Sequence, residues 1–242
     1  MVATGLKRLI VNSLHRVGYD LVRYPNPVSI GEKLKHILSG GSITCVVDVG
    51  ANVGQFAAGL RRSGYAGPIV SFEPVQAHFD SLSKACSDDP LWTCHRLALG
   101  SCSNELTLNV MSDGVFSSFL DPSRDGKEQF PANVIDHKEM TQVQRLDAIF
   151  GTLMDGDSGR RVFLKIDTQG YDLEVFRGSA GCLDSIALLQ MELSVRPIYE
   201  NAPRWLDVVR EVSGYGFSLA GLDVVNQDSR LAVIEYDGLF VR

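Results

Sequence analysis

The chain has few cysteines, and none of them stands in a C-x-x-C pair. Five cysteines are spread through 242 residues, so their number is odd and their spacing is wide. This usage is typical of reduced thiols in a cytoplasm. We therefore expect a cytoplasmic protein in which most of these thiols fill the core: Cys45, Cys86, Cys94, Cys102 and Cys182.

Long apolar runs and blocks of basic residues are also missing. Charged or polar residues interrupt every apolar run between Met1 and Tyr24, which argues against a cleavable signal and a transmembrane span. The net charge is -6 and there is no Lys/Arg block, so a nucleic-acid partner is not expected. Small polar or glycosylated substrates fit this composition better.

The apolar content is sufficient for one catalytic domain with a small N-terminal appendage, since 45% of 242 residues are hydrophobic. A predicted helix over 29–39 stops at Gly40-Gly41 and separates the appendage, 1–41, from the main domain, 42–242. Apolar residues of the appendage recur at near-helical spacing, which predicts a helix docked on the domain. A helix resting on an anionic membrane surface, as peripheral contact at its inner face, is the alternative. The apolar residues are Leu6, Leu9, Ile10, Leu14, Val17 and Leu21.

A β-branched run, Val46 to Val49, leads into a glycine-bearing turn and then into a predicted helix. Gly50 and Gly54 allow the backbone to approach a ligand closely, and the helix start presents unpaired N–H groups. This predicts a nucleotide-type cofactor site. A dinucleotide fingerprint needs glycine where Asn52 and Gln55 stand, so an NAD(P)-linked enzyme is the weaker alternative.

A second acid supports the cofactor site. The short apolar strand predicted over 69–72 ends at Glu73-Pro74, one helix length after the glycine turn. In a βαβ unit both strand ends fall on one edge of the sheet, so Glu73 is expected beside the turn, where it can accept both hydroxyls of a ribose. A helix-capping or solvated acid is the alternative interpretation.

Strand and helix patterns alternate through the rest of the chain, which predicts an α/β fold with a doubly wound sheet and helices on both faces. The polar segment 112–141 shows little periodicity and is predicted to be a lid or substrate loop. Helices are expected over 55–62, 76–85, 144–150, 172–178 and 204–212, and strands over 91–99, 105–111, 162–166, 186–193, 217–222 and 231–236.

Several short motifs together resemble the FkbM family of S-adenosylmethionine (SAM) dependent methyltransferases, over about residues 45–195. They are the turn Asp48 to Phe56, Phe72-Glu73-Pro74, Ala98-Leu99-Gly100, the segment Phe163 to Asp172 and Met191-Glu192. The resemblance implies a seven-stranded, Rossmann-like class I methyltransferase sheet. It also implies O-methylation, a transferase reaction of class EC 2.1.1, of a sugar hydroxyl such as a deoxysugar on a glycolipid or another glycosylated metabolite.

The same resemblance implies which residues bind SAM. The turn would hold the amino-acid end of SAM, Glu73 with Pro74 its ribose, and Ala98 would lie near the adenine. Ser118, in the polar segment, could contact SAM or the sugar. Packing explains Ala98 equally well, and Ser118 could be an ordinary loop serine. The turn residues are Asp48, Gly50, Ala51, Asn52, Gly54, Gln55 and Phe56.

Two carboxylates are expected at the reaction site, because Asp167 and Glu192 end neighbouring strands at the carboxyl edge of the sheet. They could bind one Mg²⁺, but two acids alone are too few for us to assign a metal. Lys165 precedes Asp167 by two residues, so it points to the same side of the strand and could pair with an acid or hold a substrate oxygen.

A sugar hydroxyl needs a group that accepts its proton. His137 is the first choice of general base, because it is the one histidine in the polar segment 112–141, although a solvated loop histidine is the commoner case. A protein of this fold that binds SAM without catalysing a reaction stays open as a further hypothesis.

Overall fold

The computed structural model describes residues 29–154 and 159–242. The helix predicted over 6–21 therefore lies outside the described residues. No helix within the described ranges is both long and apolar enough to cross a membrane.

The described residues form ten strands in two sheets. Seven strands make the main sheet in the order β3-β2-β1-β7-β8-β10-β9, and three make a smaller sheet in the order β4-β6-β5. The strands are β1 Cys45–Val49, β2 Ile69–Phe72, β3 Trp92–His95, β4 Ala98–Leu99, β5 Asn104–Met111, β6 Ile135–Gln144, β7 Val162–Ile166, β8 Ile186–Ser194, β9 Ser218–Gln227 and β10 Val233–Val241.

The first five strands of the main sheet are parallel, while β10 runs antiparallel to both β8 and β9. Seven α-helices lie before or between these strands in the described part of the chain. They are α1 Ile30–Ser39, α2 Gln55–Arg62, α3 Gln76–Cys86, α4 Arg124–Gln129, α5 Leu146–Leu153, α6 Asp172–Arg177 and α7 Trp205–Gly214, with a 3₁₀-helix at Ala180–Ser185.

Two apolar cores cover the two faces of the main sheet. Along β1, Val47 and Val49 belong to one core and Val46 to the other, which confirms that the central strands are buried on both sides. The doubly wound, seven-stranded fold with helices on both faces is therefore confirmed. Cys45, Cys86 and Cys182 are buried as expected, but Cys102 is exposed.

The prediction that the whole of 112–141 is a lid or substrate loop is wrong for its second half. This segment contains α4 and most of β6, which pairs with β5 along its whole length. Seven of the ten β6 residues are polar and six of the ten are exposed, so the strand is held by backbone hydrogen bonds and carries little apolar periodicity. The strand predicted over 91–99 is also split, because the chain turns after His95 and β4 joins the smaller sheet.

Candidate active site

A cavity of about 320 Å³ opens at the carboxyl edge of the parallel strands. The ends of β1, β2, β7 and β8 contribute to its walls, as expected for a ligand site in an open α/β sheet. Predicted site residues that line the cavity are Gly50, Asn52, Gln55, Glu73, Pro74, Ala98, Asp167 and Glu192.

The glycine turn after β1 is held against two neighbouring strand ends. The N–H groups of Gly50 and Ala51 both donate to the carbonyl oxygen of Phe72, at 3.0 and 2.9 Å. Gly50 has a φ of +78° and Asn52 a φ of +51°, so both adopt the left-handed conformation. This turn brings the backbone itself to the cavity wall, where a small polar ligand can reach it.

Glu73 is fixed by two backbone N–H groups. Its Oε2 accepts from Asn52 at 2.8 Å and its Oε1 accepts from Val75 at 2.9 Å. A carboxylate oxygen has two acceptor sites, so each oxygen retains capacity for a ligand hydroxyl. His78 lies beside it, with Nδ1 3.7 Å from Oε1. Both oxygens of Glu73 can therefore accept a further hydrogen bond at the cavity wall.

The wall next to Glu73 is mostly apolar. Ala98 and Leu99 of β4 line it together with Leu108 of β5. Phe119 and Tyr171 pack edge to face there, with ring centroids 5.0 Å apart. Apolar and aromatic surfaces of this kind suit a flat heterocyclic base.

The opposite end of the cavity is acidic. Asp167, Glu192 and Asp237 line it, and Asp237 is the cross-strand partner of Glu192. Gln169 lies between two of them, because its Nε2 is 3.1 Å from Asp167 Oδ1 and 3.2 Å from Glu192 Oε2. The structure thus brings together the two carboxylates that the sequence predicts.

Burial raises the pKa of two carboxyl groups at the acidic end of the cavity. It raises the pKa of Glu192 well above its usual range, and the charges of Asp167 and Glu235 act in the same direction. Burial and then the charge of Asp167 also raise the pKa of Asp237, while Lys165 opposes the shift. Carboxyl groups of raised pKa are better proton acceptors near neutral pH than ordinary ones.

Lys165 does not line the cavity but lies behind it. Its Nζ is 3.1 Å from Asp167 Oδ2 and 3.5 Å from Asp48 Oδ1, and it stacks over the Phe56 ring at 5.0 Å. Burial opposes its charge, yet the fields of Asp167 and Asp48 outweigh burial and raise the pKa of Lys165. Lys165 is therefore a fixed cation that pairs with acids, one of the two roles the sequence predicts.

Four predicted cofactor residues in the turn also lie behind the cavity wall. Asp48 is fully buried against Lys165, and burial raises its pKa. A Cβ on Gly54 would lie 2.9 Å from the Leu82 and Trp92 side chains, so this glycine serves packing. Ala51 is buried and Phe56 packs edge-on against Phe163. These residues shape the turn without contacting the cavity.

Ser118 and His137 are likewise outside the cavity lining. Ser118 is buried and its hydroxyl donates to the carbonyl oxygen of Gln169 at 2.7 Å. His137 lies on β6 with half of its side chain exposed, between Asp136 and Glu139. Hydrogen bonds to Asp136 and then Glu139 raise its pKa. The structure does not bring His137 to the two carboxylates.

Sequence reasoning missed several residues that line the cavity. Gln169 lies in the segment 163–172, but its motif assigned no role to that position. His78 also lines the cavity, and its position five residues after Glu73 is the signal that could have identified it. Asp237 and Asn226 come from the terminal hairpin β9–β10. Asp237 directly follows the strand predicted over 231–236, the same kind of position that indicated Asp167, but this signal was not used. In the structure Asp237 lies inside β10, which runs antiparallel to β8.

The seven-stranded sheet with helices on both faces has the fold of class I methyltransferases. A family model described as the methyltransferase FkbM domain matches residues 48–219. The chain therefore belongs to the FkbM methyltransferase family, which confirms the resemblance seen in its motifs. A comparison with curated proteins finds no match.

Solved structures share the fold at low identity. An FkbM methyltransferase from Methylobacillus flagellatus KT has 16% identity and a TM-score of 0.52, with 83% of this chain and 44% of that chain covered. This chain thus spans less than half the length of that relative. Also similar is Aeropyrum pernix fibrillarin bound to SAM, with 9% identity, a TM-score of 0.44, and 83% of this chain and 66% of that chain covered. An rRNA methylase from Streptococcus thermophilus has 13% identity, a TM-score of 0.44, and 91% of this chain and 99% of that chain covered.

A metal site is not supported at this edge. Within residues 29–154 and 159–242, no group of three or more His, Cys, Asp or Glu side chains is arranged to hold a metal ion. The Mg²⁺ considered from the sequence is therefore not assigned to any residue.

Proposed function

We propose that this chain is a SAM-dependent O-methyltransferase that methylates a hydroxyl of a sugar, with a deoxysugar on a glycolipid or another glycosylated metabolite as the acceptor. The observation that carries the proposal is a cavity with two unlike ends. Glu73 and the glycine turn form one end, and the carboxylates of Asp167 and Glu192, both bound to Gln169, form the other.

The first end fits SAM. Glu73 would accept the ribose hydroxyls, because backbone N–H groups already orient both of its oxygens. The left-handed turn at Gly50 and Asn52 would face the amino-acid part, and the wall around Ala98 the adenine. When bound, SAM supplies an activated methyl group on a positively charged sulfur.

The second end fits a hydroxyl that must lose its proton. In the transfer the acceptor oxygen forms a bond to the methyl carbon, the sulfur–carbon bond breaks, and the hydroxyl proton leaves to a base. Glu192 and Asp237 are the bases we assign, since burial raises the pKa of both and both line the cavity. Holding the acceptor oxygen in line supplies much of the remaining rate enhancement.

The lining of the cavity favours a neutral, hydroxyl-rich acceptor with an apolar part. Asn226 and Asp237 offer hydrogen bonds to several hydroxyls, whereas three carboxylates disfavour a phosphate-rich partner such as a nucleic acid. Val115 and Val225 line the cavity but are 57% and 44% exposed, so they lie at its opening. An apolar aglycone or lipid could rest there, at the inner face of the membrane for a glycolipid.

Labelled SAM and a panel of acceptors test the proposal. Purified protein is assayed against glycolipids, free oligosaccharides and tRNA, with and without EDTA, and the label is located by hydrolysis and mass spectrometry. We expect label on a sugar oxygen, and loss of transfer in Glu192→Gln, which removes one of the assigned bases. Transfer that survives EDTA supports the carboxylate bases, and transfer that EDTA abolishes and Mg²⁺ restores overturns them.

Two other outcomes would contradict the proposal itself. Label on tRNA alone would replace the sugar acceptor by a nucleic acid. SAM binding without transfer to any acceptor, and with unchanged biological activity in Asp167→Asn, would support a protein of this fold that only binds SAM.

A further inference from the structure

Gln169 adopts a conformation that its residue type rarely adopts. Its φ is +54°, in the left-handed region, and the side chain is 8% exposed. Such a conformation persists in a non-glycine residue only when the surroundings hold it in place. Here the Ser118 hydroxyl donates to the backbone oxygen of Gln169, and three polar partners surround its side-chain amide.

The orientation of that amide follows from its partners. Its Nε2 faces two carboxylate oxygens, and one N–H is available for each of Asp167 and Glu192. Its Oε1 lies 3.0 Å from the hydroxyl of Tyr199, which can donate. The reversed amide would put an oxygen against two carboxylates, so only one orientation is favourable.

Tyr199 connects this amide to the neighbouring wall of the cavity. Its hydroxyl also lies 2.8 Å from the backbone oxygen of Phe116, so its single hydrogen is shared between two acceptors. Phe116 lines the cavity, and so does Gln169 itself. The amide is therefore held from the side remote from the two acids.

We infer that Gln169 is a positioning residue, whose amide holds Asp167 and Glu192 at one fixed separation at the acceptor end of the cavity. Two carboxylates this close repel each other, and one of them tends to take up a proton. Burial and the charges of Asp167, Glu235, Asp172 and Asp237 raise the pKa of Glu192, while Lys165 pairs with Asp167. The N–H that Gln169 donates to Glu192 opposes that rise. The inference rests on the proposed function, because it assumes that SAM occupies this cavity.

Removal of the amide should make SAM binding depend on pH. Without Gln169 the acid pair retains a proton to higher pH, and a cationic ligand must displace that proton. In Gln169→Gly we expect at least a tenfold loss of SAM affinity at pH 6 that largely disappears at pH 9. Calorimetry in phosphate and in Tris should show more protons released on binding than in the wild-type protein. A merely structural role would lower the affinity equally at every pH.

Three variants separate the loss of the Gln169 amide from a general loss of folding. Glycine adopts the left-handed conformation without strain, so Gln169→Gly should fold, and thermal unfolding checks that it does. Tyr199→Phe leaves Gln169 in place and should give a smaller shift in the same direction. Gln142→Ala is the matched control, since Gln142 also donates to a carboxylate, Glu105, but at an exposed place on β6.

Each outcome separates the two proposals. If the folded wild-type protein binds neither SAM nor S-adenosylhomocysteine, the proposed function fails. If it binds SAM, and Gln169→Gly has the same affinity, pH dependence and proton release as wild type, the positioning role is overturned while the proposed function stands. A loss that is equal at pH 6 and pH 9 also overturns it.

Discussion

Gly50 lies directly against the backbone carbonyl of Asp167, so that a Cβ added to Gly50 would be 1.9 Å from that oxygen. Gly50 follows β1 and Asp167 follows β7, the neighbouring strand. The turn that would hold the cofactor and the first acid of the acceptor end therefore touch each other. A shift of one moves the other.

Gly50→Ala should disrupt this contact. The added methyl group overlaps a backbone atom and the φ of +78° disfavours alanine, so we expect a loss of about 3 kcal/mol or more in the free energy of unfolding, with weaker SAM binding. Urea unfolding and calorimetry measure both. Gly59→Ala is the control, because its Cβ would meet only the Arg62 side chain at 3.8 Å, and alanine favours its helix by about 0.5–1 kcal/mol. Equal stability of the two variants would contradict the close contact.

Lys165→Met should destabilise the protein in a pH-dependent way. Asp48 is fully buried and Lys165 is its cation, so the loss at pH 8 should be about 3–5 kcal/mol. Burial raises the pKa of Asp48, and without Lys165 it rises further, so the folded variant takes up a proton as the pH falls and the loss becomes smaller. Urea unfolding at pH 5 and pH 8 measures this.

The double variant Asp48→Asn/Lys165→Met is the control for that pair. It removes the buried charge together with its partner and should recover most of the lost stability at pH 8. A double variant no more stable than Lys165→Met would mean that Lys165 acts through packing alone.

Asp172→Asn should stabilise the protein at alkaline pH. Burial, with the charge of Asp167, raises the pKa of Asp172 to about 7, so the folded state binds its proton more tightly than the unfolded state does. The stability that this provides is complete below about pH 4 and is lost as the pH rises to about 7. Asparagine resembles the neutral form, so the variant should gain roughly 2–4 kcal/mol over wild type at pH 8 and little at pH 4. Thermal unfolding across this range checks it, and a constant difference would contradict it.

His137→Ala tests the first choice of general base. The side chain is half exposed on β6 and does not line the cavity, so SAM affinity and methyl transfer should stay within about twofold of wild type, with unfolding unchanged. Glu192→Gln is the comparison and should lose transfer by about 100-fold, typical of a lost acid–base group. If His137→Ala abolishes transfer while SAM still binds, the base is His137 and not a carboxylate.

The sequence predicts that the glycine turn and Glu73 meet, and for a local reason. A glycine turn directly after a strand can be recognised from neighbouring residues, and parallel strand geometry then brings Glu73 beside it without further information. The same geometry predicts that Asp167 and Glu192 meet. Each of these predictions needs only the end of a strand.

The acceptor half depends on features that leave no pattern in the sequence. The role of Gln169 comes from a left-handed backbone and from Tyr199, which is distant in the chain. The exposed, polar strand β6 carries no apolar alternation, so His137 reads as a loop residue. Alternation along β7 predicts that Lys165 and Asp167 point to the same side of the strand. It does not predict that Lys165 pairs with Asp48 and Asp167 behind the cavity wall.

The most direct test of the account is a calorimetric titration of the folded wild-type protein and of Glu73→Gln with SAM. The N–H groups of Asn52 and Val75 each donate to one oxygen of Glu73. In Glu73→Gln the side-chain NH₂ group would replace one of these oxygens, so one backbone N–H would meet a donor and lose its acceptor. We predict binding of one SAM per chain to wild type and an increase in Kd of about 10–100-fold in the variant, or about 1.4–2.8 kcal/mol. A folded wild-type protein that binds neither SAM nor S-adenosylhomocysteine would contradict the account.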